Sequence, residues 1–394
     1  MRGRFSTLGA HMNIAVVHDY FTQLGGAEKV AEELYSMFPG CSLFAAVALP
    51  DCMPPRLAGL PVGTSWMQRL PRMKENFRFY FPLYPFAVEA LDLSPYDLVL
   101  SSSFAYALGV RTRHDAIHVC YCHTPTRWIW NFQDYSRRES FGPIQRAVLP
   151  VLIECLKYWD RGASRQPDHF VANSQAVAAR IQNIYQRSAQ VIHPPIDIDR
   201  FHPCNVREDY YVVLSRLVPY KRIDLAVRAC TQLRRKLLVL GDGPDRKILE
   251  AMAGPSVQFL GRISDRDVEH YVSRCRALLF PGEEDFGMAP LEVAAAGRPT
   301  IAYRAGGAVE TIVEGVTGAF FDHQTAESVA DAIERFERME WSPALLRLHS
   351  ERFSTPVFHE RLREFLRRVG APVETFSAFS GTPTDAVFAH LRLA

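Results

Sequence analysis

Short apolar runs alternate with amphipathic stretches along nearly the whole chain, and the alternation is broken once, by a proline-rich segment. That segment, Ile192-His-Pro-Pro-Ile-Asp-Ile-Asp-Arg-Phe-His-Pro203, cannot run as a helix, because proline lacks the N–H and restricts the residue before it. Ahead of it, Ile14 to Val17, Asp97 to Leu100, Ile117 to Tyr121 and His169 to Ala172 read as buried strands. A helix is expected from Ala27 to Phe38, and another begins at Ser174 as N-cap. Behind it, Tyr211 to Leu214, Lys236 to Leu240, Val257 to Leu260, Ala277 to Phe280 and Thr300 to Tyr303 make five more short strands with helices between. Strands that alternate with helices belong to parallel sheets covered on both faces. Two such series predict an α/β chain of two Rossmann-like domains, with parallel sheets facing an interdomain cleft at the carboxyl ends of the strands.

The expected division places an N-terminal domain at 12–195 and a C-terminal domain at 196–354. A last helix at 355–370 is expected to cross back to the first domain. Residues 1–11 read as a cloning-derived leader ahead of Met12, and 371–394 stay unassigned. A chain of 394 residues suits two cores better than one. Its net charge of +2 gives no global reason to bind nucleic acid. The eight cysteines show no paired CxxC spacing, which fits reduced thiols rather than zinc or a disulfide framework. No run approaches the roughly 18 apolar residues needed to cross a bilayer, and the first residues lack the apolar core of a signal peptide. A cytoplasmic protein is therefore expected, peripheral on the inner face of the plasma membrane if it touches lipid at all.

The stretch that carries chemistry is Phe280-Pro-Gly-Glu-Glu-Asp-Phe-Gly-Met-Ala-Pro-Leu-Glu292. It ends a strand, crosses an acidic turn and opens a helix that stops at Gly297. Backbone N–H groups of Phe286, Gly287 and Met288 are then free for an anion at a helix N-terminus, with Glu284 before that point and Glu292 beyond it. Arg216 and Lys221, five residues apart after another strand, supply two cations fit to clamp a diphosphate. The combination suits a sugar diphosphate: N–H groups and cations for phosphate, carboxylates for hydroxyls.

This pattern resembles the Glu-x7-Glu motif of glycosyltransferase family 4, the retaining sugar-nucleotide transferases of GT-B fold. Further signposts stand in order: Gly25-Gly26, His123 in Tyr121-Cys-His-Thr-Pro125, Ser215-Arg-Leu-Val-Pro-Tyr-Lys221, Leu240-Gly-Asp-Gly-Pro244 and Gly306-Gly-Ala-Val-Glu310. The resemblance spans roughly residues 12–370 and implies an acceptor-binding role for the domain at 12–195 and a nucleotide-sugar-binding role for that at 196–354. It implies that Arg216 and Lys221 hold the diphosphate, Glu292 the ribose hydroxyls and Glu284 the donor-sugar hydroxyls. Gly25, Gly26, Asp285, Phe286, Gly287 and Met288 would approach the donor, and the backbone of Gly261, Arg262 and Ile263 would line the base pocket. His123 would sit by the reacting centre, positioning the sugar rather than acting as base, since these enzymes are thought to use front-face attack. The catalytic set is thus His123, Arg216, Lys221 and Glu284. Asp285 is a departure, standing where the family most often has glycine.

No metal ligand set and no cofactor are expected: the nucleotide sugar is a substrate, and Arg216 with Lys221 takes the place of a metal's charge. Val17-His-Asp-Tyr-Phe21, Ser101-Ser-Ser-Phe104 and Cys122-His-Thr-Pro-Thr-Arg-Trp128 look like the O-antigen mannosyltransferase branch, which implies GDP-mannose as donor. The implied acceptor is a glycan or a polyprenyl-diphosphate-linked oligosaccharide. UDP-hexoses remain the alternative donor, and a sugar-nucleotide epimerase or a silent sugar-nucleotide-binding protein remain alternative readings. A glycosidase carboxylate pair fits less well beside an anion site. Neither Gly25-Gly26 nor Gly241-Asp-Gly-Pro244 completes a dinucleotide fingerprint. Residues 67–86 and 127–138 mix arginines and lysine with aromatics, which suits either an anionic membrane surface or a packed helix with a loop.

Overall fold

The computed structural model describes residues 12–132 and 143–371. Seven strands form the first sheet: β1 (Ile14–His18), β2 (Ser42–Ala45), β3 (Val62–Thr64), β4 (Leu98–Ser103), β5 (Ile117–Cys122), β6 (His169–Ala172) and β7 (Ala189–Val191). Their spatial order is β3-β2-β1-β4-β5-β6-β7, and every neighbouring pair is parallel. The second sheet contains β8 (Tyr211–Leu214), β9 (Leu237–Leu240), β10 (Val257–Gly261), β11 (Leu278–Phe280), β12 (Thr300–Tyr303) and β13 (Gly318–Phe321). Its order, β10-β9-β8-β11-β12-β13, is again wholly parallel. Two wholly parallel sheets in one chain are the α/β architecture expected from the alternating sequence.

Both faces of each sheet are covered, and the two-residue period of a strand assigns the cores. In β1, Ile14 and Val16 enter one cluster while Ala15 and Val17 enter the cluster on the opposite face. Runs buried on both sides are therefore continuously apolar rather than alternating.

The helix Thr355–Arg368 buries Phe358, Leu362, Phe365 and Leu366, an i, i+4, i+7, i+8 stripe. These side chains join Val30 and Leu34 of the helix Gly26–Ser36 in one cluster with β1. Ser174 caps the helix Gln175–Tyr185 by accepting from the Val177 N–H at 3.1 Å. The proline-rich segment is extended except for one 3-10 turn, Ile198–Arg200, capped by the Asp197 carboxylate. A helix was excluded there by the prolines, and these lie outside the three residues of the turn.

Residues 66–89 are neither one packed helix nor a simple loop. They form four short turns, Trp66–Arg69, Met73–Asn76, Phe81–Leu83 and Tyr84–Glu89. Met67, Met73 and Tyr84 anchor them in the core, while Trp66, Phe79 and Phe86 stay exposed. Of the second basic-aromatic stretch, residues 133–138 lie outside the described residues, as do 1–11 and 372–394.

Candidate functional site

In each sheet the first strand has neighbours that run off in opposite directions, β1 between β2 and β4, and β8 between β9 and β11. Loops leaving such a strand and its later neighbour diverge, which opens a crevice at the carboxyl edge. The predicted residues leave from these points. His18 ends β1, and Ser102 and Ser103 lie near the end of β4. Arg216 and Lys221 follow β8, and Glu284 to Met288 follow β11.

In the second lobe, Lys221 and Glu284 form an ion pair. Their side chains are 16% and 19% exposed, so neither is an ordinary solvated charge. Burial works against the charged Lys221 amine, but the Glu284 carboxylate outweighs it and raises the amine above its ordinary value. The loop is fixed by close backbone approach. A Cβ on Gly282 would lie 2.7 Å from Lys221 Cα, and one on Gly243 would lie 2.2 Å from the Leu217 carbonyl oxygen. The Leu240-Gly-Asp-Gly-Pro244 signpost therefore lets the cation loop pack closely. Arg216 extends to the first lobe and donates to Gln23 Oε1 at 2.9 Å.

The helix Met288–Ala295 starts after Gly287, whose φ of +85° is left-handed and which offers no side-chain cap. Among the described residues the N–H groups of Phe286, Gly287 and Met288 donate to no carbonyl, while the Glu284 carbonyl is taken by Gly307 at 2.8 Å. These are the orphan donors of a helix start. The Phe286 ring is not available to a ligand: it is buried and stacks on His193 at 5.3 Å. Glu292 is held by Lys29 at 3.3 Å across the lobes. Gly261, with φ of +72°, ends the edge strand β10, and Arg262 and Ile263 follow it.

The first lobe presents a different surface. Asp19 is fully buried and accepts the N–H groups of Phe104, Ala105, Tyr106 and Ala107 at 2.5–3.0 Å. Burial raises its carboxyl above the ordinary value, while His18 and the backbone donors oppose that shift. This one side chain ties β1 to the loop after β4. His18 Nδ1 and His123 Nε2 both meet Ser102 Oγ, at 3.1 and 2.8 Å, and Asn173 Nδ2 donates to the His123 carbonyl at 2.9 Å. Burial, with His18 beside it, pushes His123 down to about 3, so its imidazole is neutral at physiological pH. Gly25 and Gly26 do not have positive φ, so no left-handed turn explains the pair. Close approach is the reason instead, since a Cβ on Gly26 would meet Met288 Sδ at 2.9 Å.

Several partners were not foreseen from sequence. Asp285 pairs with Arg127 at 2.8 Å and with Arg180, both from the first lobe. Glu310 accepts the Gln175 N–H at 2.9 Å and the Ala176 N–H at 3.3 Å, and meets His193 Nε2 at 3.0 Å. Burial acts to raise Glu310, but His193 and the two N–H donors prevail and hold it below its ordinary value. Among the described residues no group of three His, Cys, Asp or Glu side chains is placed to hold a metal ion.

Comparison with known proteins agrees with this geometry. The family model described as Glycosyltransferase Family 4 matches residues 24–200, and that described as Glycosyl transferases group 1 matches residues 196–351. A GDP-mannose-dependent alpha-(1-6)-phosphatidylinositol monomannoside mannosyltransferase of Mycolicibacterium smegmatis is 30% identical over 219 residues, 48% of this chain and 56% of that protein. An alpha-1,3/1,6-mannosyltransferase of Homo sapiens is 25% identical over 405 residues, 88% of this chain and 94% of that protein. Among solved structures, the sucrose-phosphate synthase of Thermosynechococcus elongatus matches with TM-score 0.68 at 17% identity, covering 92% of this chain and all (100%) of that one. Anabaena HepE in complex with UDP matches with TM-score 0.66 at 17% identity, covering 91% and 100%. Two family models that overlap at residues 196–200, inside the proline-rich segment, on a pair of GT-B sheets, place this chain in glycosyltransferase family 4, among relatives of the mannosyltransferase type.

Proposed function

We propose that the protein is a retaining, metal-independent mannosyltransferase that moves mannose from GDP-mannose to a lipid-linked or other glycan acceptor in surface polysaccharide synthesis. The observation that carries this reading is the Lys221–Glu284 pair beside three unbonded N–H groups at the β8/β11 switch point. The names of the mannosyltransferase relatives support the choice of sugar.

In this reading the donor diphosphate lies on Arg216, Lys221 and the N–H groups of Phe286, Gly287 and Met288. Glu284 then exchanges Lys221 for the sugar hydroxyls, and Glu292 exchanges Lys29 for the ribose hydroxyls. The acceptor hydroxyl attacks the anomeric carbon from the face the diphosphate leaves. The carbon–oxygen bond to the β-phosphate breaks, and the acceptor's proton passes to the departing phosphate oxygen. Charge growing on that oxygen is met by two cations already in place. A neutral His123, pinned by Ser102, orients the sugar and has too low a basicity to be the proton acceptor. The exposed Trp66, Phe79 and Phe86 beside Arg69 and Arg72 support contact of the first lobe with an anionic membrane that carries the acceptor. No helix among the described residues is long and apolar enough to cross one.

Calorimetric titration with GDP and with UDP, both in EDTA, tests the donor. GDP binding with negligible UDP binding is expected. A preference for UDP replaces the donor with a UDP-hexose, and binding of neither removes the transferase reading. Incubation with donor alone should give no epimerised sugar nucleotide.

A further inference from the structure

Asp285 is held by two arginines that belong to another site. Arg127 opens the short helix Arg127–Trp130 and Arg180 lies within Gln175–Tyr185. These elements flank the loop after β5, which carries His123 and Thr124. Together with Thr124, Trp130, Asn131 and Asn183 they line a cavity of about 240 Å³ on the first lobe. Its named walls supply two guanidinium groups, a hydroxyl and two amides, and no carboxylate; the Trp130 ring adds a flat side, its N–H being given to Asp160 at 2.7 Å. The carboxylates that answer this charge come from the opposite lobe. Asp285 is shared by both guanidiniums, and the half-exposed Glu283 stands 3.6 Å from Arg180.

Arg127 is further fixed by lying 4.8 Å over the Tyr220 ring. Arg180 also reaches Thr124 Oγ1 at 3.4 Å. Two planar guanidiniums converging on one oxygen are arranged for a group with more acceptor oxygens than a single carboxylate offers.

We propose that this cavity takes a phosphate or diphosphate group carried by the acceptor, and that Asp285 holds its place as counter-ion until it arrives. The word acceptor rests on the transferase reading; the anion site itself does not. The donor diphosphate has its own cations and N–H groups on the second lobe, so a second phosphate site beside His123 belongs to the other substrate. Its position next to the reacting centre means that the accepting hydroxyl lies close to that phosphate. This places the enzyme early in the building of a phosphate-linked glycan, after a reaction that attaches a sugar or lipid to phosphate.

The test is calorimetry of the full chain with inorganic pyrophosphate, with and without saturating GDP. Pyrophosphate should still bind in the presence of GDP. Arg180→Gln should weaken that binding at least tenfold while leaving GDP affinity unchanged, and Arg180→Lys should restore part of it. Asp285→Asn should tighten it several-fold, because a competing charge is gone. Complete competition by GDP, an unchanged Arg180→Gln, or weaker binding by Asp285→Asn each overturns the site. Absence of GDP binding with Arg180-dependent pyrophosphate binding would instead overturn the donor reading and keep the anion site.

Both a soluble sugar phosphate and a lipid diphosphate bring this group. Arg180-dependent competition by a hexose 1-phosphate identifies the first. Arg180-dependent binding to phosphatidylcholine vesicles carrying a polyprenyl diphosphate identifies the second. Either result supports the site.

Discussion

The two switch points of this molecule are built to opposite plans. On the first lobe, Asp19, His18, Ser102 and His123 form a buried group whose hydrogen bonds stay largely within the lobe. On the second, Arg216, Lys221, Glu284 and Glu292 are charged and partly exposed. All four lean on provisional partners: Gln23 for Arg216, Lys29 for Glu292, and Lys221 and Glu284 on each other. A buried network is costly to leave half-made and so fixes one geometry. Part-exposed ion pairs are worth little in themselves and exchange readily for phosphate and hydroxyl groups. One lobe supplies shape and the other supplies charge.

Asp19→Ala tests the first plan most severely. It strands four N–H groups in the core, and a loss of about 3–5 kcal/mol in unfolding free energy is expected from urea denaturation. A loss below about 1 kcal/mol would show that the first lobe does not depend on that network. Lys221→Ala should do the reverse: stability within about 1 kcal/mol of the parent, nucleotide binding weakened, and transfer reduced by roughly 10²–10³. Parent-like nucleotide affinity would remove the clamp. His123→Ala should lower transfer far more than nucleotide binding.

The smallest effect is in pH. The folded value of His123, about 3, lies below its ordinary 6.5. The unfolded chain therefore binds a proton there first, and stability falls as pH drops from about 6.5 toward 3. Above 6.5 the group costs nothing. Transfer should accordingly show no inflection near pH 6–7 that disappears in His123→Asn, and finding one would mean that His123 titrates as an ordinary imidazole.

Sequence alone revealed those strands whose burial on both faces makes them continuously apolar, such as β1, β5 and β9. It did not reveal β2, β3, β7 or β13. β3 and β7 are three-residue edge strands of intermediate burial, and β13 begins with glycine, so neither length nor pattern marks them. The charged site residues were legible because they sit at fixed offsets from strand ends. Gln23, Lys29, Arg127, Arg180 and His193 were not. Each becomes a site neighbour only through the placement of one lobe on the other, and no local spacing encodes that placement. Asp285 was legible as a departure at a glycine position, but its two partners lie 105 and 158 residues away.

The five residues Gly306 to Glu310 touch both ends of this arrangement. A Cβ on Gly307 would lie 2.2 Å from Phe286 Cα, so the loop after β11 rests directly on that backbone. Three residues on, Glu310 sits at the amino end of Gln175–Tyr185, where a helix dipole favours negative charge. On the proposed function, filling that loop with a nucleotide sugar and docking the lobes would be linked through this backbone, each lowering the cost of the other by the same amount; tighter donor binding and a stiffer interlobe joint would then rise together.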